Sequence, residues 1–466
     1  MLQSCRVSIG HLARVTATAV VTIVSVAACA STEPTVAAAD HEPATALVAA
    51  SPTLSAAPGK TELGDLIERA PRSAVAAERL NVDLLRRFYA RHGFAPVWTT
   101  RPAQAESLIN AVMRADDHGL SPELFQASAL RSAATLPPLD RELLLSNAFL
   151  SYADALARGV MPIERRGDEQ VLKPEAIDVA AVLDAAIASP DPASVIEALA
   201  PKTPTYKLLR QALYDFRAGF AVGGTTAATR RREIEVNLER ERWLPRRLPA
   251  DRVWVNAADQ RVVMYRDNQA VFTSRVVVGM AEKRNQSPEV QASIEAIWFN
   301  PPWVIPEDIA RDEILPIAKR DPTYLAKHNM VLLPNGTLQQ TAGPYSGLGT
   351  LLFEMKNKFD VYLHDTPSKD LFLRDDRRIS HGCIRVEDPR KLAALLMQQS
   401  AEAIDQTIAT GNTDRRNLPK PVPVFVVYET AFADADGKLQ FRADAYGRDA
   451  EIWQRLDPAR RMVAAR

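Results

Sequence analysis

The spacing of apolar side chains divides the chain into two regions. From Thr61 to about Phe220 they recur every three or four positions. Examples are AAERLNVDLLRRFYARHG (76–93), AESLINAVMRADDHG (105–119) and RELLLSNAFLSYADALARG (141–159), each with glycine at or near its end. That period gathers them on one face of a helix and predicts an all-helical region. Phe94 and Trp98, where one helix gives way to a loop, are expected as core anchors. His92 and His118 stand one residue before Gly93 and Gly119, as ordinary helix-end residues, and no chemistry is assigned to them. RRREIEVNLERERWLP (230–245) mixes opposite charges at helical spacing and is expected to be a solvated face with Glu–Arg pairs, not a binding patch.

At Arg252 the period changes. RVWVNAA, QRVVMYR and AVFTSRVVVG are short β-rich runs divided by turn residues, and ASIEAIWF (292–299), FDVYLH (359–364) and PVFVVYET (423–430) are further strand candidates. A helix is predicted from Pro389. Between Phe299 and Phe359 lies a long excursion with helical and Pro/Gly-rich parts, the kind of insertion that walls or covers a site. DADGKLQF (434–441) lacks the later ligands of a calcium loop and reads as a hairpin turn. The expected class is α+β: an N-terminal all-helical scaffold domain (61–222), a linker and connecting helix (223–250), and a mainly β catalytic domain (251–430). That domain carries a helical and loop lid near 300–358, and a C-terminal hairpin and tail follow (431–466).

Composition narrows the partners. Lys+Arg and Asp+Glu both number 57 in 466 residues, so the formal net charge is zero, which argues against nucleic acid or an anionic membrane face as a partner. Residues 1–29 read as a leader. Arg6, His11 and Arg14 precede the uncharged run from Val15 to Ala28, which is too short to span a bilayer comfortably. Its end, Val26-Ala27-Ala28-Cys29, resembles a bacterial lipobox. Acyl chains on Cys29 would tether the protein to a membrane, whereas ordinary signal-peptidase cleavage would leave no anchor. Residues 30–60, rich in Ala, Thr, Pro and Ser, cannot bury enough surface to fold and read as a linker. The expected location is outside the cytoplasm, in the periplasm. Cys5 lies in the leader and Cys29 at its end, so Cys383 is the only cysteine of the folded body. A lone thiol in an exported protein points to catalysis, against the plainer reading of an inert buried cysteine.

The chemistry concentrates in VYLHDTPSKDLFLRDDRRISHGCIRVEDP, from Val361 to Pro389. A thiol needs a base or a lowered pKa to become a nucleophile. His364 ends a β-rich run, where a side chain is held firmly; His381 lies two residues from Cys383. The Asp365 main-chain carbonyl can orient the imidazole, or its carboxylate can cap the Thr366-Pro367 turn. Backbone N–H groups around His381 and Gly382 can hold an oxyanion, Gly382 permitting unusual dihedrals. Arg385, with Ser380, is a candidate for binding substrate; a salt bridge from Arg385 to Glu387 or Asp388 is the structural alternative. Two histidines and one cysteine lack the paired spacings of a zinc site, so neither metal nor cofactor is expected. G-x-S-x-G, P-loop and H-E-x-x-H motifs are absent.

His364 followed sixteen positions later by Ser380-His381-Gly382-Cys383 resembles the signature of the YkuD-type L,D-transpeptidases. The stretches NLERERWLP (237–245), WFNPPWVIP (298–306), VYLHDTPSKDLF (361–372), SHGCIRVEDP (380–389) and FRADAYGRD (441–449) are similar to its larger YcbB-like subgroup, as are FAPVW (94–98) and DHGLSP (117–122) of the helical region. The resemblance implies attack on a peptidoglycan tetrapeptide stem at the bond between meso-diaminopimelate and terminal D-Ala. An acyl-enzyme forms, and the amine of a second stem resolves it into a 3–3 cross-link. It implies Cys383 as nucleophile, His364 as general base, the Asp365 carbonyl as its orienter, the backbone of His381 to Cys383 as oxyanion site, and reaction with carbapenems. Two departures stand out. Only a short join near 221–229 occupies the place where the subgroup often carries a peptidoglycan-binding module. In TLQQTAGPYSGLG (337–349), Gln339, Ala342 and Ser346 replace the subgroup's Arg, Pro and Asn. An L,D-carboxypeptidase, with water as acceptor, and a catalytically silent wall-binding lipoprotein are the competing readings.

Overall fold

The computed structural model describes residues 61–69, 80–217 and 227–456. The leader, Cys29, the 30–60 linker and most of the 221–229 join lie outside them. Among the described residues no helix is long and apolar enough to cross a membrane.

The N-terminal region is helical, as the spacing predicts. Asn81 caps the helix Val82–Ala90 by accepting the Leu84 N–H at 3.3 Å, and Asp178 caps Val179–Ala188 through Ala180 N–H at 3.1 Å. The longest helix, Pro138–Arg158, starts on a proline and stops at Gly159, whose φ of 83° a side chain would resist. Its side chains Leu144, Phe149 and Tyr152 are buried among the other helices. Trp98 and Phe94 join that core, and the Trp98 indole N–H donates to Ser146 at 2.8 Å.

The second region contains fourteen strands among the described residues: β1 (Arg252–Asn256), β2 (Arg261–Arg266), β3 (Gln269–Gly279), β4 (Val290–Phe299), β5 (Trp303–Val304), β6 (Met330–Leu332), β7 (Leu338–Gln340), β8 (Leu351–Met355), β9 (Leu363–His364), β10 (Arg378–Ser380), β11 (Ile384–Val386), β12 (Asp414–Val427), β13 (Ala431–Ala433) and β14 (Leu439–Phe441). The main sheet runs β10-β3-β11-β9-β8-β4-β12-β1-β2, and β2 pairs back onto β3, so the sheet closes on itself. Val253, Val255, Val262 and Met264 alternate inward, while Trp254 on the other face packs against the helical region. The predicted helix is Pro389–Met397, capped by Asp388. DADGKLQF is the turn and return strand of the β13–β14 hairpin. The excursion after Phe299 contains a small sheet, β5-β7-β6, and short helices.

One expectation holds only in part. The segment 230–245 is solvated only at its start, where the expected pairs Arg230–Glu233 and Arg231–Glu235 form; from Ile234 to Leu244 every residue is buried between the two regions. The arginines of the buried half find acidic partners inside. Arg242 meets Glu239 at 3.1 Å, both fully buried, and Arg240 meets Asp449 at 2.6 Å. Glu239 also accepts the Met161 N–H at 2.9 Å and the Trp243 indole N–H at 3.2 Å. His118, near that segment, is a core residue whose Nδ1 lies 2.9 Å from the Tyr206 hydroxyl. Burial, with Arg210 and Arg242 nearby, lowers its pKa to about 2.

Candidate active site

The topology brings together what the sequence separates. Strand β9 is short because it ends where the chain enters the Asp365-Thr366-Pro367 turn, and only Leu363 and His364 of the predicted FDVYLH strand pair in the sheet. Strand β11 lies parallel to it, with Arg385 opposite His364 and Ile384 opposite Leu363; the Ile384 N–H donates to the Tyr362 carbonyl at 3.0 Å. Partners across a parallel pair share a face, so the register sets Arg385 and His364 on one side, and Cys383 stands one residue before β11. Cys383 and His364 are both fully buried, and Cys383 is the sole cysteine among the described residues.

Burial pushes the His364 pKa down to about 3. The Arg385 charge adds to this, and hydrogen bonding to the main chain of Asp365 and Leu348 works against it. The ring is therefore neutral near pH 7, the state a proton acceptor requires. The Asp365 carboxylate does what the alternative reading assigned to it. Oδ1 accepts the Thr366 N–H at 2.7 Å and faces Lys369 Nζ at 2.7 Å, and Oδ2 accepts both the N–H and the hydroxyl of Thr350 at 2.9 Å. Burial alone would raise the pKa of this acid, but Lys369 and the Thr350 and Thr366 donors outweigh it and hold it below the ordinary carboxylate value. Main chain and side chain of Asp365 thus serve different neighbours.

The motif turn is held from within. The Ser380 hydroxyl donates to the Cys383 carbonyl at 2.6 Å and accepts the Gly382 N–H at 3.2 Å. Ser380, expected at the substrate, instead braces the turn, because its short hydroxyl closes a ring across three residues more easily than it reaches outward. By the same contact the Gly382 N–H, expected at the oxyanion, is directed to Ser380. Gly382 has a φ of 113°, which explains glycine there. Arg385 is 2 % exposed beside His364. Of the two acids proposed as its structural partner, Glu387 pairs with Arg275 and Asp388 caps a helix.

Sequence reasoning missed two residues of the lid. His381 Nε2 lies 2.7 Å from Glu313 Oε1, on a π-helical turn (Ala310–Ile314) of the insertion. The Leu348 main chain reaches His364. Neither carries a sequence signal, since each depends on how the insertion folds back. Of the lid departures, Ser346 is buried and its hydroxyl accepts the Leu348 N–H at 3.4 Å, while the Gln339 main chain pairs with Val304 and Val331 in the small sheet. Among the described residues no cluster of His, Cys, Asp or Glu is arranged to hold a metal ion.

Residues 83–213 match the model of a scaffold domain, and residues 250–424 match that of an L,D-transpeptidase catalytic domain of the YkuD type. A Haemophilus influenzae protein named "Putative L,D-transpeptidase" is 28% identical over 399 residues, covering 79% of this chain and 78% of that one. Among solved structures, the catalytic domain of an E. faecium L,D-transpeptidase acylated by ertapenem shares 12% identity, at a TM-score of 0.22, covering 39% of this chain and 98% of that one. An Ldtfm–avibactam carbamoyl enzyme shares 13%, at 0.20, covering 48% of this chain and 61% of that one. At these scores the structural likeness carries no weight; the matches to the two domain models do. Residues 250–424 thus form an L,D-transpeptidase catalytic domain of the YkuD type, with a scaffold domain ahead of it.

Proposed function

We propose that the enzyme transfers the acyl group of a peptidoglycan tetrapeptide stem through a thioester on Cys383, forming 3–3 cross-links. The observation that carries this is the buried pairing of β9 with β11, which aligns His364 with the strand that follows Cys383. Neutral His364 takes the thiol proton as sulfur attacks the carbonyl of meso-diaminopimelate. The tetrahedral intermediate collapses, His364 returns the proton to the leaving nitrogen, and D-Ala departs. The amine of a second stem then attacks the thioester, gives its proton to His364 and releases the thiolate. The Asp365 main chain orients the imidazole, and the backbone near His381 and Cys383 faces the oxyanion. Arg385, within electrostatic reach of His364, helps keep the ring neutral. The β-lactam carbonyl of a carbapenem is attacked by the same sulfur.

Export to the periplasm, with Cys29 as lipid site, belongs to the same proposal. Mass spectrometry of the mature N-terminus decides it, and an unmodified or absent Cys29 removes the anchor. The reaction is tested by mass spectrometry of disaccharide-tetrapeptide incubated with the enzyme and with Cys383→Ala. Loss of D-Ala with dimer formation, both absent in the variant, is expected. Tripeptide monomer alone would establish a carboxypeptidase instead. Equal inertness of the folded wild type and variant would support the silent lipoprotein.

A further inference from the structure

The segment FRADAYGRD (441–449) contains no group used in the chemistry above, yet its side chains converge on the turn before the nucleophile. The Tyr446 hydroxyl donates to the Gly279 carbonyl at 2.7 Å and accepts the Ser287 N–H at 3.4 Å; its ring stacks on Tyr428 with centroids 4.8 Å apart. Arg448, 4 % exposed, spreads its guanidinium over one loop: Nη2 donates to the Ser287 carbonyl at 3.0 Å, Nε to Gln286 Oε1 at 3.1 Å and Nη1 to Glu289 Oε1 at 3.1 Å. Ser287, fully buried, receives this support and passes it on. Its hydroxyl accepts the Gly279 N–H at 3.0 Å and donates to the Gly382 carbonyl at 2.8 Å. Gly279 has to be glycine for this approach, because a Cβ there would lie 2.1 Å from the Asn285 carbonyl oxygen and 2.6 Å from Ser287 N.

The Gly382 carbonyl is not an arbitrary anchor. A peptide unit is planar and trans, so its C=O and N–H point opposite ways. Fixing the direction of the Gly382 carbonyl therefore fixes the N–H and Cα of Cys383. With φ at 113°, Gly382 has wide torsional freedom of its own and gains most from an external restraint.

The chain of contacts continues into the connecting helix and the scaffold. Asp449 pairs with Arg240 and accepts the Thr430 hydroxyl at 2.9 Å, and Thr430 in turn accepts from Asn237 at 2.7 Å. On the other side, Glu289 accepts the Gln170 side-chain N–H at 2.9 Å, and its main-chain carbonyl accepts the Val171 N–H at 2.9 Å. The scaffold thus terminates on the loop that Ser287 belongs to, and the connecting helix on Asp449, next to Arg448.

We propose that Ser287, Tyr446 and Arg448 are positioning residues that set the Gly382–Cys383 peptide plane, and that through them the docked scaffold is a working part of the catalytic site. The inference rests on Cys383 being the nucleophile. The test is pre-steady-state acylation of the whole enzyme by a carbapenem, followed by absorbance and by the mass of the adduct. Ser287→Ala and Tyr446→Phe are compared with Ile196→Val, a scaffold core truncation that costs stability without touching this network. Misplacing a reacting group by about 1 Å costs roughly a hundredfold in rate. Ser287→Ala is therefore expected to lower the limiting acylation rate at least about tenfold, with the half-saturating carbapenem concentration changed less than about threefold. Tyr446→Phe is expected to fall between it and the wild type, and Ile196→Val to acylate normally. If Ser287→Ala does not fold, Tyr446→Phe carries the comparison. Folded Ser287 and Tyr446 variants that acylate at the wild-type rate, or no faster and no slower than an equally slowed Ile196→Val, would overturn the inference. An adduct still formed by Cys383→Ala would instead overturn the assignment of the nucleophile.

Discussion

Replacing Glu313 by Gln should open the site. Glu313 and His381 are only 18% and 14% exposed, and they form a 2.7 Å contact between the lid and the motif. A hydrogen bond to a charged group contributes about 1.5–3 kcal/mol, against about 0.5–1.5 kcal/mol for a neutral one. Glutamine keeps the shape and a neutral bond, so the change should cost the closed lid about 1–2 kcal/mol. At 1.4 kcal/mol per factor of ten, that multiplies the population of open lid by roughly 5–30. Cys383 is fully buried in the closed state, so any reagent reaching its sulfur must wait for an opening. The assay is alkylation by iodoacetamide of a chain starting at Thr61, in which Cys383 is the only cysteine. The second-order rate should rise about 5–30-fold in proportion to the open population. A folded variant alkylated at the wild-type rate, or more slowly, would show that this contact does not hold the lid over the thiol.

Three other outcomes follow from the same structure. His364 and His118 have pKa values of about 3 and 2 against 6.5 unperturbed, so the unfolded chain binds their protons first. Their contribution to stability is complete above pH 6.5 and is lost as pH falls. At pH 5 it should be smaller by about 2 kcal/mol per histidine, read from urea unfolding, and a curve flat from pH 7 to 5 would contradict both shifts. Arg242→Met leaves Glu239 buried without its cation and should cost about 3–5 kcal/mol; adding Glu239→Gln should recover part of the loss, and additive losses would refute the pairing. Gly349→Ala introduces a Cβ 2.5 Å from the Asp365 carboxylate at a φ of 63°, so Asp365 must leave Thr350 and carbapenem acylation should slow at least about tenfold. Acylation at the wild-type rate would show that the Asp365 contacts do not matter to His364.

The sequence by itself determined the local elements and the chemical inventory. Periods of 3.6 and 2 marked the helical and β regions, Gly159 ended its helix, and Asp434 to Leu439 formed the expected hairpin, because these features depend on neighbours a few residues away. The candidate nucleophile Cys383 stood out because composition left it alone, and Gly382 because its turn needs a positive φ. The tertiary structure decided which groups are buried and what they face. The segment 230–245 has the pattern of a solvated surface, and only the closing of two domains over its second half brings Arg240 to Asp449 and Arg242 to Glu239 inside. Ser380 looked like a substrate contact until the turn folded its hydroxyl back onto Cys383. Glu313 and Leu348 from the lid, and Ser287, Tyr446 and Arg448 behind the motif, meet the site across gaps of tens of residues. Such encounters are set by sheet closure and domain docking, whose free energy comes from buried area spread over the whole molecule, so no local pattern in the chain could announce them.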